Sequence, residues 1–460
     1  MFRTMGERTK VRSQRRAAKR RFPSMVVGDV GPGNLRAQPM RPLETTRLPN
    51  ANSRASGRIT QLRFDVLLVL TVITLLVFGL IMVYSASYDY SLLWYDDPME
   101  MFQRQLLWLA LGLAALITLA NIDYHQWRDW AVPLIVVTGL ALLYVLVQGN
   151  LLNGAKRTIF GGSVQPSELT KVAVVIYLSV WLYSKRDQLG QVTYGLVPLA
   201  IILGFLGGLI FLEPDLSATL SILMLGGLMF FLAGGDLRQI AVILLVAMVV
   251  GFLMVNFTPT GKARLDDYLR GFNDPTQSSS HVFRSYGAFA KGGWFGVGIG
   301  KAEAKVTGLP VPPTDSIFAV IGEETGIVGV VFLVLLYSGL LWRGLTIARR
   351  APDQMGALLA GGLTFWIVIE ALINMASMIS LIPFTGNALP FISAGGSSLV
   401  MSMASIGIIL NVSRLSEKKK EDHGKYFNAV IDLRRRDRGR GISGDGGAPG
   451  VAQPRTRARQ

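Results

Sequence analysis

Apolar runs long enough to cross a lipid bilayer recur along this chain, and they constrain its fold more than any other feature. They lie around residues 66–87, 105–120, 132–147, 166–182, 196–212, 216–233, 240–256, 316–342, 355–378 and 389–412. A hydrocarbon core of about 30 Å needs roughly 20 helical residues to span it. Within lipid every backbone N–H and C=O must be paired inside the protein, which a helix does on its own. The expected fold class is therefore an all-α polytopic membrane protein. It has about ten transmembrane helices and a long extracellular loop, 257–315, between the seventh and the eighth.

Half of the 460 residues are hydrophobic and only 17% are charged, and this composition excludes a soluble protein of this size. The net charge of +16 would suggest nucleic acid if it were spread over a soluble surface. Instead, residues 1–63 hold 15 Lys/Arg against 3 Asp/Glu, and residues 414–460 hold 13 against 6, so the whole excess lies in two tails. Basic flanks stay on the cytoplasmic side, near anionic headgroups, which places both termini inside and agrees with an even number of spans. Lys185, Arg186, Arg238, Arg343, Arg349 and Arg350 fall on the same side, whereas Asp89, Asp96, Asp97 and Glu100 mark the first outer loop. The tails lack aromatic interleaving, so no nucleic-acid partner is expected. Three regions follow: a disordered basic tail at 1–63, a membrane domain at 64–414 and a largely disordered basic tail at 415–460.

Without cysteine there is no disulfide, thiolate metal site or cysteine nucleophile. The three histidines, His125, His281 and His423, are too few for a histidine-rich metal cluster and read as solvated surface residues.

Ionisable groups at membrane depth are costly, and so they mark candidate sites. Asp315 stands where the long loop enters the apolar helix after 316, and Glu323 and Glu324 follow two turns later. Upstream, the glycine-dense run from Gly292 to Lys301 is interleaved with Lys291, Lys301 and Lys305; its amides and cations could seat phosphates. Arg157 lies in a loop without an adjacent acid. Beyond it, in Gln165-Pro166-Ser167-Glu168-Leu169-Thr170-Lys171, the proline suits a first helical turn. Glu168 and Lys171, three apart, share one helix face, either as an internal salt bridge or as part of a site. The uncharged stretch from Pro383 to Ser398, with Ser393, Gly395, Gly396 and Ser397, offers hydroxyls and amides to a sugar or phosphate. Its small residues equally allow close helix packing. Glu370 and Asn374, one turn apart, are expected to bond to a neighbouring helix, and Leu265, Leu269 and Phe272 recur at helical spacing within the long loop.

In order and spacing, several of these segments resemble the family of shape, elongation, division and sporulation proteins, the RodA/FtsW/SpoVE polymerases of bacterial cell-wall synthesis. The resemblance rests on the Gln165–Leu169 run, the Glu213-Pro214-Asp215-Leu216 turn, Thr314-Asp315 with the Ile317–Glu324 stretch, and the 389–398 loop, and it covers about residues 64–414. The chain departs from the family where Thr158 replaces a common aromatic. It also carries Val311-Pro312-Pro313 where a Glu and a His usually precede the Asp.

The resemblance implies a peptidoglycan glycosyltransferase that polymerises lipid II on the outer face of the bacterial cytoplasmic membrane. Its implied partners are a class B penicillin-binding protein and other divisome or elongasome proteins. Asp315 is then the general base, with Arg157, Glu168, Lys171, Lys291, Lys301, Lys305, Glu323, Ser393, Gly395, Gly396 and Ser397 as candidate substrate contacts. No cofactor is required, although a divalent cation such as Mg or Mn is compatible with a pyrophosphate leaving group. The alternative is a lipid II flippase, whose polar path would use Glu168, Lys171, Glu370 and Asn374.

Overall fold

The computed structural model describes residues 64–148, 150–152, 155–159 and 164–438, with side chains for these except at 150–157, 254 and 420–438. The tail 1–63 lies outside the described residues, as do 439–460.

Each apolar run holds a helix, although the last, expected from 389, becomes helical only at Gly396. The first three are α1 (Val66–Tyr95), α2 (Glu100–Asn121) and α3 (Trp127–Gln148). A short antiparallel hairpin, β1 (Asn150–Leu152) and β2 (Ala155–Thr158), interrupts the otherwise helical chain. It leads through α4 (Pro166–Ser184), α5 (Leu196–Leu212) and α6 (Leu216–Leu232) to α7 (Leu237–Phe257). The long loop then folds into α8 (Pro259–Asn273) and α9 (Ser280–Gly292). The chain re-enters the bundle as α10 (Ile317–Arg349), α11 (Gln354–Met378) and α12 (Gly396–Arg438).

Among the described residues seven helices are long and apolar enough to cross a membrane: α1, α2, α3, α7, α10, α11 and the first 24 residues of α12; α5 and α6 are apolar but shorter, at 17 residues each. Helix α12 continues well past the expected boundary at 414. The continuation is dense in good helix formers (Lys, Glu, Arg, Leu) and free of proline, so its propensity favours helix over the coil expected from charge alone.

Helix starts obey local chemistry. Asp65 caps α1 through Leu68 N at 3.0 Å, and Asp353 caps α11 through Gly356 N at 2.7 Å. Pro166 and Pro259 occupy first-turn positions, where a missing N–H is harmless. Helix α2 packs along α12, α10 lies between α1 and α11, and α4 contacts α3, α6 and α11. By contrast α7 turns Leu244, Leu245, Met248 and Phe252 outward, as a lipid-facing helix should. On the opposite side from the long loop, His125 sits between Asp123 (Nδ1 to Oδ1, 2.6 Å) and Asp353 (Nε2 to Oδ2, 2.9 Å). It pins the α2–α3 connection to α11 while 42% of its side chain stays exposed, so the surface histidine expected also ties two elements together.

Helix α10 is broken near its start. Gly326 has φ 64° and ψ −165°, a conformation open only to glycine, and a Cβ there would lie 2.5 Å from Gly296 N. The break frees backbone groups, and the glycine-dense run satisfies them. Val297 N and Gly298 N donate to the carbonyls of Glu323 (2.9 Å) and Glu324 (3.0 Å), while Ile327 N and Val328 N donate to the carbonyls of Gly293 (3.0 Å) and Trp294 (3.2 Å). The glycines therefore splice a discontinuous helix. At least two of the amides expected for a phosphate seat are already engaged.

Candidate active site

Just before α10 the chain turns through Val311–Ser316, and three consecutive carbonyls of this turn are each held by a different donor. Ala394 N bonds Pro313 O at 2.8 Å, Ser393 Oγ bonds Thr314 O at 2.7 Å, and Asn374 Nδ2 bonds Asp315 O at 3.0 Å. The donors are themselves fixed. Ser393 Oγ accepts from Leu389 N at 2.7 Å, Asn374 Nδ2 also reaches Asn387 O at 2.6 Å, and Tyr337 OH holds Pro390 O at 2.5 Å. Asp315 thus rises from a backbone immobilised by α11 and the 387–394 turn, the rigid support that a reacting group needs.

Its carboxylate lies over Gly386, whose φ of 72° suits glycine; a Cβ built there would meet Asp315 Oδ2 at 3.4 Å and Arg264 Nη2 at 3.8 Å. Carboxylate and guanidinium therefore face the same small volume. Arg264, from α8, is oriented by Thr385 O (Nη1, 3.1 Å) and by the Phe384 ring, 5.9 Å from its Cζ. His281 stacks on Phe384 at 4.0 Å and its Nδ1 meets Ser316 Oγ at 2.8 Å. Burial, reinforced by the nearby Arg264 cation, pushes the His281 imidazole down to about 4. It is therefore neutral at physiological pH and is no solvated surface residue.

The other candidates from the sequence fall into separate groups. Glu168 and Lys171 do pair (2.7 Å), but Lys171 also bonds Glu370 of α11 and lies 5.6 Å from the Trp366 ring; its side chain is 4% exposed. Glu323 is taken up by Glu303 N and Ala304 N, both at 3.0 Å. Glu324 accepts from Ser85 Oγ at 2.5 Å and faces Lys305 Nζ at 3.6 Å. Lys305 also faces Asp89 at 3.6 Å and donates to Gly300 O at 2.8 Å, so it closes the base of the loop. Lys291 pairs with Glu303 at 2.5 Å on the surface, and Lys301 is exposed.

The cations expected to form one phosphate seat are therefore not gathered by that loop, because buried or neighbouring carboxylates claim Lys305 and Lys291. Gly395 N meets Gln105 Oε1 at 3.3 Å, Gly396 opens α12, and Ser397 Oγ accepts from Gln165 N at 3.1 Å. These contacts brace the turn beside Asp315. Arg157 lies on β2, and its side chain is outside the described residues.

Arg264, His281 and Phe384 escaped the sequence reading. One signal was available: Arg264, Asp267 and Tyr268 stand at i, i+3 and i+4, a polar face on the amphipathic α8. Nothing local, however, links α8 to Asp315. Among the described residues no group of three or more His, Asp or Glu is placed to hold a metal. The Asp315 surroundings do not fit a protein-held ion either, since a guanidinium stands where a cation would bind.

The fold and this site define a polytopic helical membrane protein with a rigidly held, half-buried carboxylate that faces the same small volume as an arginine. The sequence profile of the FtsW/RodA/SpoVE family, described as cell cycle protein, matches residues 65–418. The chain belongs to that family. It is 38% identical over 357 residues to the stage V sporulation protein E of Bacillus subtilis, covering 76% of this chain and 97% of the relative. It is 37% identical over 354 residues to a probable peptidoglycan glycosyltransferase FtsW of Trichlorobacter lovleyi, covering 76% and 93%.

Two solved structures share the fold. One, described as showing structural coordination of polymerization and crosslinking by a peptidoglycan synthase complex, has a TM-score of 0.65 at 27% identity and covers 77% of this chain and 99% of that one. The rod shape determining protein RodA of Thermus thermophilus has a TM-score of 0.57 at 27% identity, covering 77% and 98%.

Proposed function

We propose that this chain is a peptidoglycan glycosyltransferase that polymerises lipid II into glycan strands at the outer face of the bacterial cytoplasmic membrane, with Asp315 as general base. The observation that carries the reading is the clamp on Pro313, Thr314 and Asp315, which fixes one carboxylate at the mouth of an apolar helix. A sugar hydroxyl is a weak nucleophile. As its oxygen bonds to the anomeric carbon of the second substrate, its proton passes to the Asp315 carboxylate. The bond from that carbon to the pyrophosphate breaks, and undecaprenyl pyrophosphate leaves with the electron pair. General-base assistance of this kind contributes about 10²–10⁴ in rate.

Charge growing on the leaving oxygen needs cations, and Arg264 lies beside Asp315; of the cations expected from sequence, Lys291 and Lys305 face carboxylates elsewhere, which leaves Arg157 and Lys301. Any Mg or Mn ion would arrive on the pyrophosphate. Ten helices cross the membrane in this reading, with both termini cytoplasmic. A class B penicillin-binding protein of the division or elongation machinery is the partner, consistent with the likeness to a peptidoglycan synthase complex.

The flippase reading needs a mobile polar path, whereas Glu168, Lys171 and Glu370 are locked to one another and Asn374 is committed to two carbonyls. The test is to incubate the purified protein, with and without such a partner, with fluorescent lipid II. Glycan ladders support the polymerase; their absence together with lipid II movement across liposomes supports the flippase.

A further inference from the structure

Helix α8 presents Arg264, Asp267 and Tyr268 on one face, the start of α9 adds Ser278 to Val282, and Ser380, Ile382 and Phe384 close the third side. Together they enclose a cavity of about 290 Å³. Its polar groups are not used up by the fold. Ser279 stands at the N-cap of α9, yet its hydroxyl does not cap, and Ser279 Oγ is buried without a hydrogen-bond partner among the described residues. Asp267 is half-buried and its side chain has no hydrogen bond or ion pair among them. A buried polar atom left unmet is costly, so Ser279 Oγ points to a ligand, and the Asp267 carboxylate on the same wall is available to it.

The chemistry of the wall selects the ligand. Arg264 is engaged at Thr385 O and beside Asp315, which leaves the cavity itself with the Asp267 carboxylate, a neutral His281 and no net positive charge, so a second anion is not favoured there. A neutral polyol suits the wall better: its hydroxyls can bond Asp267 and Ser279 while its C–H face lies against the ring surfaces of His281 and Phe384. The volume sits at the low end for small-molecule pockets and holds one sugar ring, not a disaccharide with its peptide. The cavity also adjoins the proposed base. Arg264 and Phe384 belong to both the cavity wall and the Asp315 surroundings, and His281 bonds Ser316.

We infer that this cavity is a carbohydrate subsite that holds one N-acetylhexosamine ring of a glycan beside the sugar reacting at Asp315. The inference rests on the glycosyltransferase reading, and its test is kept separate from catalysis. Full-length protein carrying Asp315→Asn, which cannot turn over in that reading, is mixed with N,N′-diacetylchitobiose and observed by saturation-transfer NMR. Transfer should concentrate on one ring, fall about tenfold in apparent affinity with Asp267→Asn, and vanish with Ser279→Leu, which fills the cavity. Melting temperatures close to the parent's establish that both variants fold. In the otherwise unaltered enzyme, Asp267→Asn should raise KM for lipid II at nearly constant kcat.

No transfer to the Asp315→Asn protein would overturn the subsite. So would transfer unchanged in both cavity variants, or displacement of the sugar by equimolar inorganic pyrophosphate, which would mark an anion site. Polymerisation surviving in Asp315→Asn would remove the base assignment while leaving the binding result to stand.

Discussion

Replacing Lys171 by methionine tests the energetics of the bundle interior. Lys171 is the cation between Glu168 and Glu370, all three are nearly sealed from solvent, and the triad holds two carboxyl groups to one ammonium. Methionine keeps the length of the side chain but strands two carboxylates between α4 and α11. Breaking a buried pair in this way costs about 3–5 kcal/mol, because the remaining charge keeps its desolvation penalty. Glu370→Gln instead leaves a one-to-one Lys171–Glu168 pair and loses only part of a charge-assisted hydrogen bond, about 1–2 kcal/mol.

The melting temperature should therefore fall at least twice as far for Lys171→Met as for Glu370→Gln. Thermal unfolding of detergent-purified variants followed by tryptophan fluorescence reads this directly, with Trp366 beside the ammonium as a local reporter. Equal losses in the two variants would refute the argument, as would a Lys171→Met protein that melts with the parent. A Lys171→Met protein that is stable yet inactive would return Lys171 to the substrate site.

Other outcomes follow from particular contacts. Gly326→Ala should express poorly or melt early, since a Cβ at φ 64° would run into the backbone of Gly296 and Trp294; an unaltered melt would contradict the spliced-helix account. The imidazole of His281 binds its proton near 4 when folded and near 6.5 when unfolded, so the unfolded state takes up more protons between those values. Stability from this group is complete above about 6.5 and is lost as pH falls towards 4; His281→Gln should flatten that part of the pH–stability curve, and an identical slope would remove His281 as the cause. In this cysteine-free chain, Gln277→Cys should react with a membrane-impermeant maleimide on intact cells and Arg349→Cys should not, with reversed labelling overturning the orientation.

Much of the frame was legible from one sequence because apolar run length and charge placement act locally along the chain. The runs became helices, the Glu168–Lys171 spacing became an ion pair, and the Leu265, Leu269 and Phe272 pattern became α8. Partner choice was not legible. The glycine-dense run read as a flexible anion seat, but its amides serve a helix broken 30 residues later at Gly326, and Lys305 serves Glu324 and Asp89. Arg264 comes to the Asp315 side of Gly386 only because the 384–386 segment lies between α8 and the turn before α10. Adjacency across 51 positions leaves no periodic trace in composition or spacing.

The central claim, that Asp315 takes the proton of the attacking sugar hydroxyl, is tested most directly by the Asp315→Asn protein in a fluorescent lipid II polymerisation assay. Asparagine preserves size and hydrogen bonding and leaves the backbone clamp on Pro313, Thr314 and Asp315 in place. The account expects normal expression and melting with glycan ladders reduced by about a hundredfold or more. Ladders of near-normal length and rate from a properly folded Asp315→Asn protein would contradict it.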